Sequence, residues 1–346
     1  MATYHYYNQM NKAQQAAYHA LLEGLQSMAP SFPVPRLEGQ ELFNVHFLLR
    51  LDHPELFWSE GIRYKYYDDS SMVEVVPEYL FDKKKIKDHQ QALQSRVEKL
   101  ARPALNLKEE EKLLYIHDFI CRNVHYDKLK KQYSHEIIGP LGQGVGVCEG
   151  ISKSVKILCD KLGIWCTIAI SDANPEKGIK YRHAWNLVRI DGKYYHLDAT
   201  FDNSLGKGRD KVAAEELRYD YFLLGDKQIF KDHEPVIWSV PTCTDDDGFY
   251  YRKKKLSFTK LEDVRKRGAQ AVKKGKTLTF HWRGGYLSKS VLSDILAAFE
   301  EEAEGRNKHA RVWVNVPQAI IRVAFDERLP QEQLVLDEAD EGREEV

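Results

Sequence analysis

A glycine-dense loop that opens into a helix is the feature that most constrains this chain. Gly142, Gly144 and Gly146 precede Cys148, and apolar residues then recur at helical spacing until Gly163 ends the pattern. The free N–H groups and the macrodipole at a helix N-terminus favour an anion, so this position favours a nucleophilic thiolate. The glycines are expected to leave the backbone around the sulfur open to a substrate carbonyl, with main-chain N–H groups as oxyanion donors.

A base and a carboxylate follow in two strand-like segments, 183–190 and 193–200, which are joined by Asp191-Gly192. Asp-Gly is a preferred filling of a two-residue type I′ turn, so the segments are expected to pair as a tight hairpin. In that register His183 and Asp198 are diagonal neighbours on one face, with backbone positions about 7–8 Å apart. The sequence therefore predicts that Asp198 orients His183.

The chain resembles the transglutaminase-like superfamily over roughly residues 110–235. Short blocks in the family's order carry the resemblance: Gly146-Val-Cys-Glu-Gly150, Leu162-Gly-Ile164, His183-Ala-Trp-Asn186 and Asp191-Gly-Lys-Tyr-Tyr-His-Leu-Asp-Ala-Thr200. The resemblance implies an α+β fold with a papain-like core. It also implies a catalytic triad in which Cys148 is the nucleophile, His183 the base and Asp198 the residue that orients the imidazole.

The implied chemistry is acyl transfer through a thioester on an amide of a protein or peptide. Water as acceptor gives hydrolysis, and an amine gives transamidation. Transamidation needs a cleft that shields the thioester from water, for instance one walled by tryptophans. Trp165 and Trp185 are the only tryptophans within residues 110–235, and neither is an obvious candidate for a wall of such a cleft. We therefore expect hydrolysis to dominate.

Two further residues are weaker candidates for substrate binding or oxyanion stabilisation. Gln143 lies a few residues before the cysteine, where papain-like enzymes carry an oxyanion-hole glutamine, but a solvent-facing amide is the preferred interpretation. Trp185 is expected to pack beside the triad. Cys159 and Cys166 lie within apolar patterns and are interpreted as core residues.

Composition excludes several classes of function. The net charge is −1 over 346 residues, so we expect no nucleic-acid partner, and the basic segment 252–276 lacks interleaved aromatic residues. No apolar run approaches the ~20 residues of a membrane span, which predicts a cytoplasmic protein without a membrane partner. The five cysteines form no Cys-x-x-Cys pair, so reduced thiols are expected, with no metal site and no cofactor.

The chain is predicted to contain three parts and a tail. Residues 1–105 combine helices with a hairpin, 106–240 form the catalytic core, 250–330 form a small α/β module, and 331–346 are an acidic tail. The predicted helices of the outer parts include one that begins at Asn11 with a capping box. Residues 219–224 are predicted to form a buried strand, followed by a short helix with Asp226 as its N-cap. The α/β module is predicted to have a βαβ-like arrangement.

Two other functions stay open. A binding or scaffold protein could keep the fold without turnover, although the three triad residue types are all present. A peptide:N-glycanase-like amidase is the other alternative, weakened by the missing Cys-x-x-Cys pairs of such enzymes. The sequence does not define the oligomeric state.

Overall fold

The computed structural model describes residues 4–206, 217–326 and 334–336, and its fold is α+β, as predicted. The described residues divide into two compact units. The first contains 4–171, 183–194 and 236–241, and the second contains 172–182, 195–235 and the described residues from 242 onward. The predicted domain ranges stay predictions, and most of the predicted tail lies outside the described residues.

The first unit combines five helices with short strands. Its helices are α1 Lys12–Ser27, α2 Gly39–Asp52, α3 Lys83–Ala101, α4 Glu109–Asn123 and α5 Cys148–Leu162. Its strands are β1 Phe32–Pro35, β2 Ser59–Lys65, β3 Met72–Tyr79, β4 His125–Tyr126, β5 Val145–Gly146, β6 Trp165–Ser171 and β7 His183–Ile190. Strand β8, Lys193–Leu197, begins in this unit and continues along the chain into the second.

The predicted N-terminal helix and hairpin are both present. Asn11 caps α1, and its side chain and that of Gln14 bond each other's backbone N–H groups, which is the predicted capping box. Strands β2 and β3 pair antiparallel, as the hairpin prediction required. A third strand, β1, joins the free side of β3. Its sequence, Phe-Pro-Val-Pro, gave no strand signal because proline is disfavoured in sheets except at edges.

Helix α5 packs against the antiparallel pair β6 and β7. Gly163 ends the helix in the left-handed conformation at φ 77°, so the predicted helix boundaries are confirmed. After β7 the chain turns through Asp191 and Gly192, which have φ 49° and 83°. Two consecutive residues with positive φ define a type I′ turn, which confirms the predicted turn.

The second unit holds the remaining elements. Its helices are α6 Ala199–Gly206, α7 Asp226–Ile229, α8 Tyr250–Lys253, α9 Leu261–Lys274 and α10 Lys289–Glu304. Its further strands are β9 Phe222–Leu224, β10 Ser257–Phe258, β11 Leu278–Trp282, β12 His309–Asn315, β13 Ile320–Asp326 and β14 Leu334–Leu336.

The C-terminal part of this unit contains the predicted βαβ arrangement. Helix α10 connects β11 to β12, and β13 lies between these two strands and pairs antiparallel with both. Strands β10 and β14 complete the order β10-β11-β13-β12-β14. The apolar side chains between this sheet and helices α9 and α10 include Val264, Phe280, Ile295, Phe299, Val314 and Val323.

Two local predictions in the second unit differ from the structure. The predicted strand 219–224 is shorter, because only Phe222–Leu224 forms a strand and Tyr219 instead stacks on Tyr250 at 3.9 Å between ring centroids. Asp226 was predicted to cap a helix, but it is the first residue of α7 and Gly225 holds the cap position. The Asp226 carboxylate instead contacts His196 and the backbone N–H of Cys243.

Among the described residues, no helix combines the length and apolarity needed to cross a bilayer.

Candidate active site

Cys148 is the first residue of α5 and is buried, with 7% of its surface exposed. Val147 precedes it as the N-cap and provides no side-chain acceptor for the helix amides. Cys148 therefore stands at the N-terminal, positive end of the helix dipole. The N–H of Val147 donates to the Ser134 carbonyl at 3.1 Å, so this N–H is engaged within the protein.

The glycines around the cysteine allow close packing of the backbone. Gly144 has φ 69°, a left-handed conformation that favours glycine. A Cβ at Gly150 would lie 2.2 Å from the carbonyl oxygen of Ser134, which leaves no room for any side chain. A Cβ at Gly146 would lie 2.5 Å from the ring of Pro140. Glycine at these two positions therefore allows the start of the helix to pack against neighbouring segments. The sequence had predicted only that the glycines leave the backbone around the sulfur open to substrate.

His183 begins strand β7, where it lies opposite Ser171 of β6. The ring of Trp185 stacks on the imidazole, with 5.8 Å between ring centroids and 17° between planes. Trp185 is fully buried. Its predicted position beside the histidine is therefore observed, and its indole restricts how the imidazole can rotate.

Hydrogen bonds fix the start of α5 against the start of β7. The hydroxyl of Ser152, about one helical turn after Cys148, donates to the Ala184 carbonyl at 3.1 Å. The amide of Asn186 donates back to the Ser152 carbonyl at 3.0 Å. Because Ala184 directly follows His183, these bonds hold the cysteine and histidine segments side by side. Sequence reasoning assigned no role to Ser152 and quoted Asn186 only within a family block.

A buried group of charges lies directly after the cysteine. Lys153 is fully buried and pairs with Glu149 and Glu136, both at 2.7 Å. Arg50 of α2 contacts the same two carboxylates. Burial opposes ionisation of Glu149, but Lys153, His135 and Arg50 outweigh it and hold the pKa of this carboxyl well below its usual range. The first turn of α5 is thus anchored by ion pairs that span α2 and the loop before α5.

The predicted strand 193–200 is too long, because β8 ends at Leu197 and Ala199 begins α6. Asp198 lies between these two elements in the second unit and is fully buried. Its Oδ1 accepts the backbone N–H groups of Thr200 and Phe201 at 2.8 and 3.0 Å, which caps α6. Its Oδ2 lies 2.9 Å from Nε2 of His233. The carboxylate is therefore held in a single orientation by contacts on both oxygens.

His233 is a residue that sequence reasoning missed. Its Nδ1 lies 2.8 Å from Asp232, so the imidazole bridges two carboxylates. Burial lowers the pKa of His233, but the hydrogen bonds to Asp198 and Asp232 outweigh burial and raise it to about 9. The cationic imidazole donates from both nitrogens, one to Asp198 and one to Asp232. No local motif marks this residue, since it follows Asp198 by 35 positions.

The other residues considered from the sequence lie as follows. Gln143 is exposed at the end of the turn Ile138–Gln143. Cys159 and Cys166 are fully buried in α5 and β6, in line with a packing role.

Comparison with known proteins identifies the region that contains these residues. The family model of the transglutaminase-like superfamily matches residues 94–199, which include Cys148, His183 and Asp198. No curated protein matches the chain.

Two solved structures show weak similarity. One is described as a crystal structure of a TGase, with 13% identity, coverage of 41% of this chain and 44% of that chain, and a TM-score of 0.27. The other is a candidate cysteine protease from Cytophaga hutchinsonii, with 19% identity, coverage of 40% and 61%, and a TM-score of 0.24. The chain thus spans less than two thirds of either structure.

The match supports a family whose general chemistry is cysteine-dependent acyl transfer or hydrolysis, and it does not define a particular activity. Residues 94–199 thus form a region of the transglutaminase-like superfamily.

Proposed function

We propose that this protein hydrolyses an amide bond of a protein or peptide, with Cys148 as nucleophile, His183 as base and Asp198 as the residue that orients the base. The observation that carries the proposal is the pair of hydrogen bonds between the first turn of α5 and the start of β7, because it holds the segments of Cys148 and His183 together. The Asp198 role is the sequence prediction from the hairpin register: the type I′ turn is present, but β8 ends at Leu197, so Asp198 follows the strand and does not lie within it.

The reaction proceeds in two halves. The Cys148 sulfur attacks the substrate carbonyl carbon while His183 accepts the thiol proton, and the carbonyl oxygen becomes an oxyanion. Collapse of this intermediate breaks the C–N bond, and the imidazolium of His183 gives its proton to the departing amine. Water then attacks the thioester, His183 takes a proton from that water, and the acid leaves as the thiol is restored.

Hydrolysis is preferred over transfer because an amine must outcompete water at the thioester. Such competition requires a site that excludes water and holds the amine. Trp185 is fully buried against His183, so it serves to position the imidazole and cannot wall a substrate tunnel. The other tryptophan of the core region, Trp165, packs edge-on against Tyr194.

Product analysis tests the proposal. The full chain is incubated with glutamine-containing peptides and a millimolar primary amine, and products are identified by mass. We expect acid products that depend on Cys148 and disappear in Cys148→Ala, whereas Cys159→Ala, which removes another buried thiol of the same helix, retains them. Predominant amine adducts would make the protein a transamidase with the same nucleophile. Equal product from wild type and Cys148→Ala would contradict the assignment.

A further inference from the structure

A second group of chemically reactive side chains lies in the second unit, apart from the proposed nucleophile. His196 of β8, Asp226 of α7 and Cys243 each offer one ligand atom, and these three atoms all lie within 4.8 Å of one another. His196 and Cys243 are buried, and the side chain of Asp226 is 30% exposed. Imidazole, carboxylate and thiolate are the three ligand types that proteins use for zinc.

The backbone holds two of these residues in fixed relation. The N–H of Asp226 donates to the Cys243 carbonyl at 2.8 Å, and the N–H of Cys243 donates to the Asp226 carboxylate at 3.1 Å. Gly225 permits this approach, since a Cβ there would lie 2.7 Å from the Asp245 carbonyl oxygen and 3.1 Å from that of Cys243. These bonds hold the segment around Cys243 against the start of α7. The backbone positions of Asp226 and Cys243 are therefore fixed before any metal binds.

The remaining contact joins the third residue to this pair. Nε2 of His196 lies 2.8 Å from Oδ1 of Asp226. Ligand bonds to zinc of about 2.0–2.3 Å arranged as a tetrahedron place neighbouring ligand atoms somewhat further apart than this hydrogen bond. A small outward movement of the Asp226 carboxylate, the most exposed of the three side chains, therefore makes room for an ion.

We propose that His196, Asp226 and Cys243 form a zinc-binding site, with the fourth position open on the exposed side of Asp226. The cation takes the place of the proton shared by His196 and Asp226, and Cys243 binds as a thiolate after losing its proton to solvent. The ion joins β8, α7 and the segment at Cys243, so its role is to stabilise the second unit. The absence of Cys-x-x-Cys pairs does not oppose this site, because its ligands come from three separate segments.

Metal titration of the chelator-treated full chain tests this proposal. We expect one Zn²⁺ retained per chain after desalting and an increase in melting temperature. Co²⁺ in place of Zn²⁺ is expected to give a thiolate-to-cobalt charge-transfer band. Cys243→Ala should remove this band, and Asp226→Asn should weaken metal binding at least tenfold. Cys159→Ala and Cys148→Ala, which delete other buried thiols, should leave the band and the stoichiometry unchanged.

Circular dichroism establishes that each variant is folded, and Asp226→Asn provides a test even where Cys243→Ala fails to fold. Retention of much less than one Zn²⁺ per chain would overturn the proposal. A cobalt–thiolate band that persists in Cys243→Ala or disappears in Cys148→Ala would overturn it too, because the metal would then be bound by another thiol. None of these outcomes depends on the proposed hydrolysis.

Discussion

At the scale of single residues, the carboxylate of Asp198 makes contacts beyond the one role that the sequence predicted for it. It is proposed to orient His183, and it also caps α6 and bonds His233. An asparagine at this position keeps one oxygen for the α6 amides. Its NH₂ group, however, then meets the Nε2–H of His233, and two donors face each other.

Asp198→Asn is therefore expected to lower turnover by about 10³–10⁴-fold and to lower the melting temperature as well. The catalytic loss arises because an amide holds the imidazole in the wrong tautomer and cannot stabilise the imidazolium. Steady-state kinetics and thermal unfolding measure the two effects. Asp202→Asn is the matched control, since Asp202 is a buried carboxylate within α6, the helix that Asp198 caps, and it accepts the Tyr221 N–H. Near-normal turnover of Asp198→Asn would remove this residue from the triad.

At the scale of elements, the position of α5 depends on charges as well as on apolar packing. Lys153 is fully buried between Glu136 and Glu149, and Arg50 completes a group of two cations and two anions. Removing one member leaves a buried charge without compensation, which is more costly than replacing a whole pair.

Lys153→Met is expected to lower the free energy of unfolding by about 3–5 kcal/mol, measured by urea denaturation. The double variant with Glu149→Gln should recover part of this loss, because it removes a carboxylate charge that has lost its lysine partner. A loss under about 1 kcal/mol in the single variant would show that the ion pairs do not anchor the helix start.

Features that depend on residues close together in the sequence could be predicted, whereas contacts between distant residues could not. The capping box at Asn11, the turn at Asp191-Gly192 and the αL glycine at Gly163 depend on neighbouring residues, and all three are observed. Cys148 and His183 could be selected because each stands at the start of a recognisable element. The contact between Asp198 and His233 could not, since it joins residues that are distant along the chain and share no motif.

At the scale of the whole molecule, His233 makes stability depend on pH. The pKa of this histidine is about 9 in the folded protein, above the value of 6.5 for an unperturbed side chain. A raised folded-state pKa stabilises the fold fully below about pH 6.5, and the contribution is lost as the pH rises through about 9.

The stability difference between wild type and His233→Gln should therefore shrink between pH 6.5 and pH 9.5. The expected change is on the order of 3 kcal/mol, from the pKa difference between the two states. Denaturant unfolding at both pH values gives the measurement, and taking the difference between the two proteins cancels other groups that titrate in this range. A difference that is constant with pH would mean that His233 is not the cation between Asp198 and Asp232.

The central claim is that Cys148 is the nucleophile and that its reactivity comes from the start of α5 and from His183. Alkylation by iodoacetamide at neutral pH, resolved by peptide mass for all five cysteines, tests this claim most directly. All five thiols are buried, so burial does not separate them. Cys148 should nevertheless be modified well before Cys121, Cys159, Cys166 and Cys243, because it stands at the start of a helix. The fast phase should disappear in Cys148→Ala and slow in His183→Ala. Equal, slow labelling of all five cysteines would contradict the account.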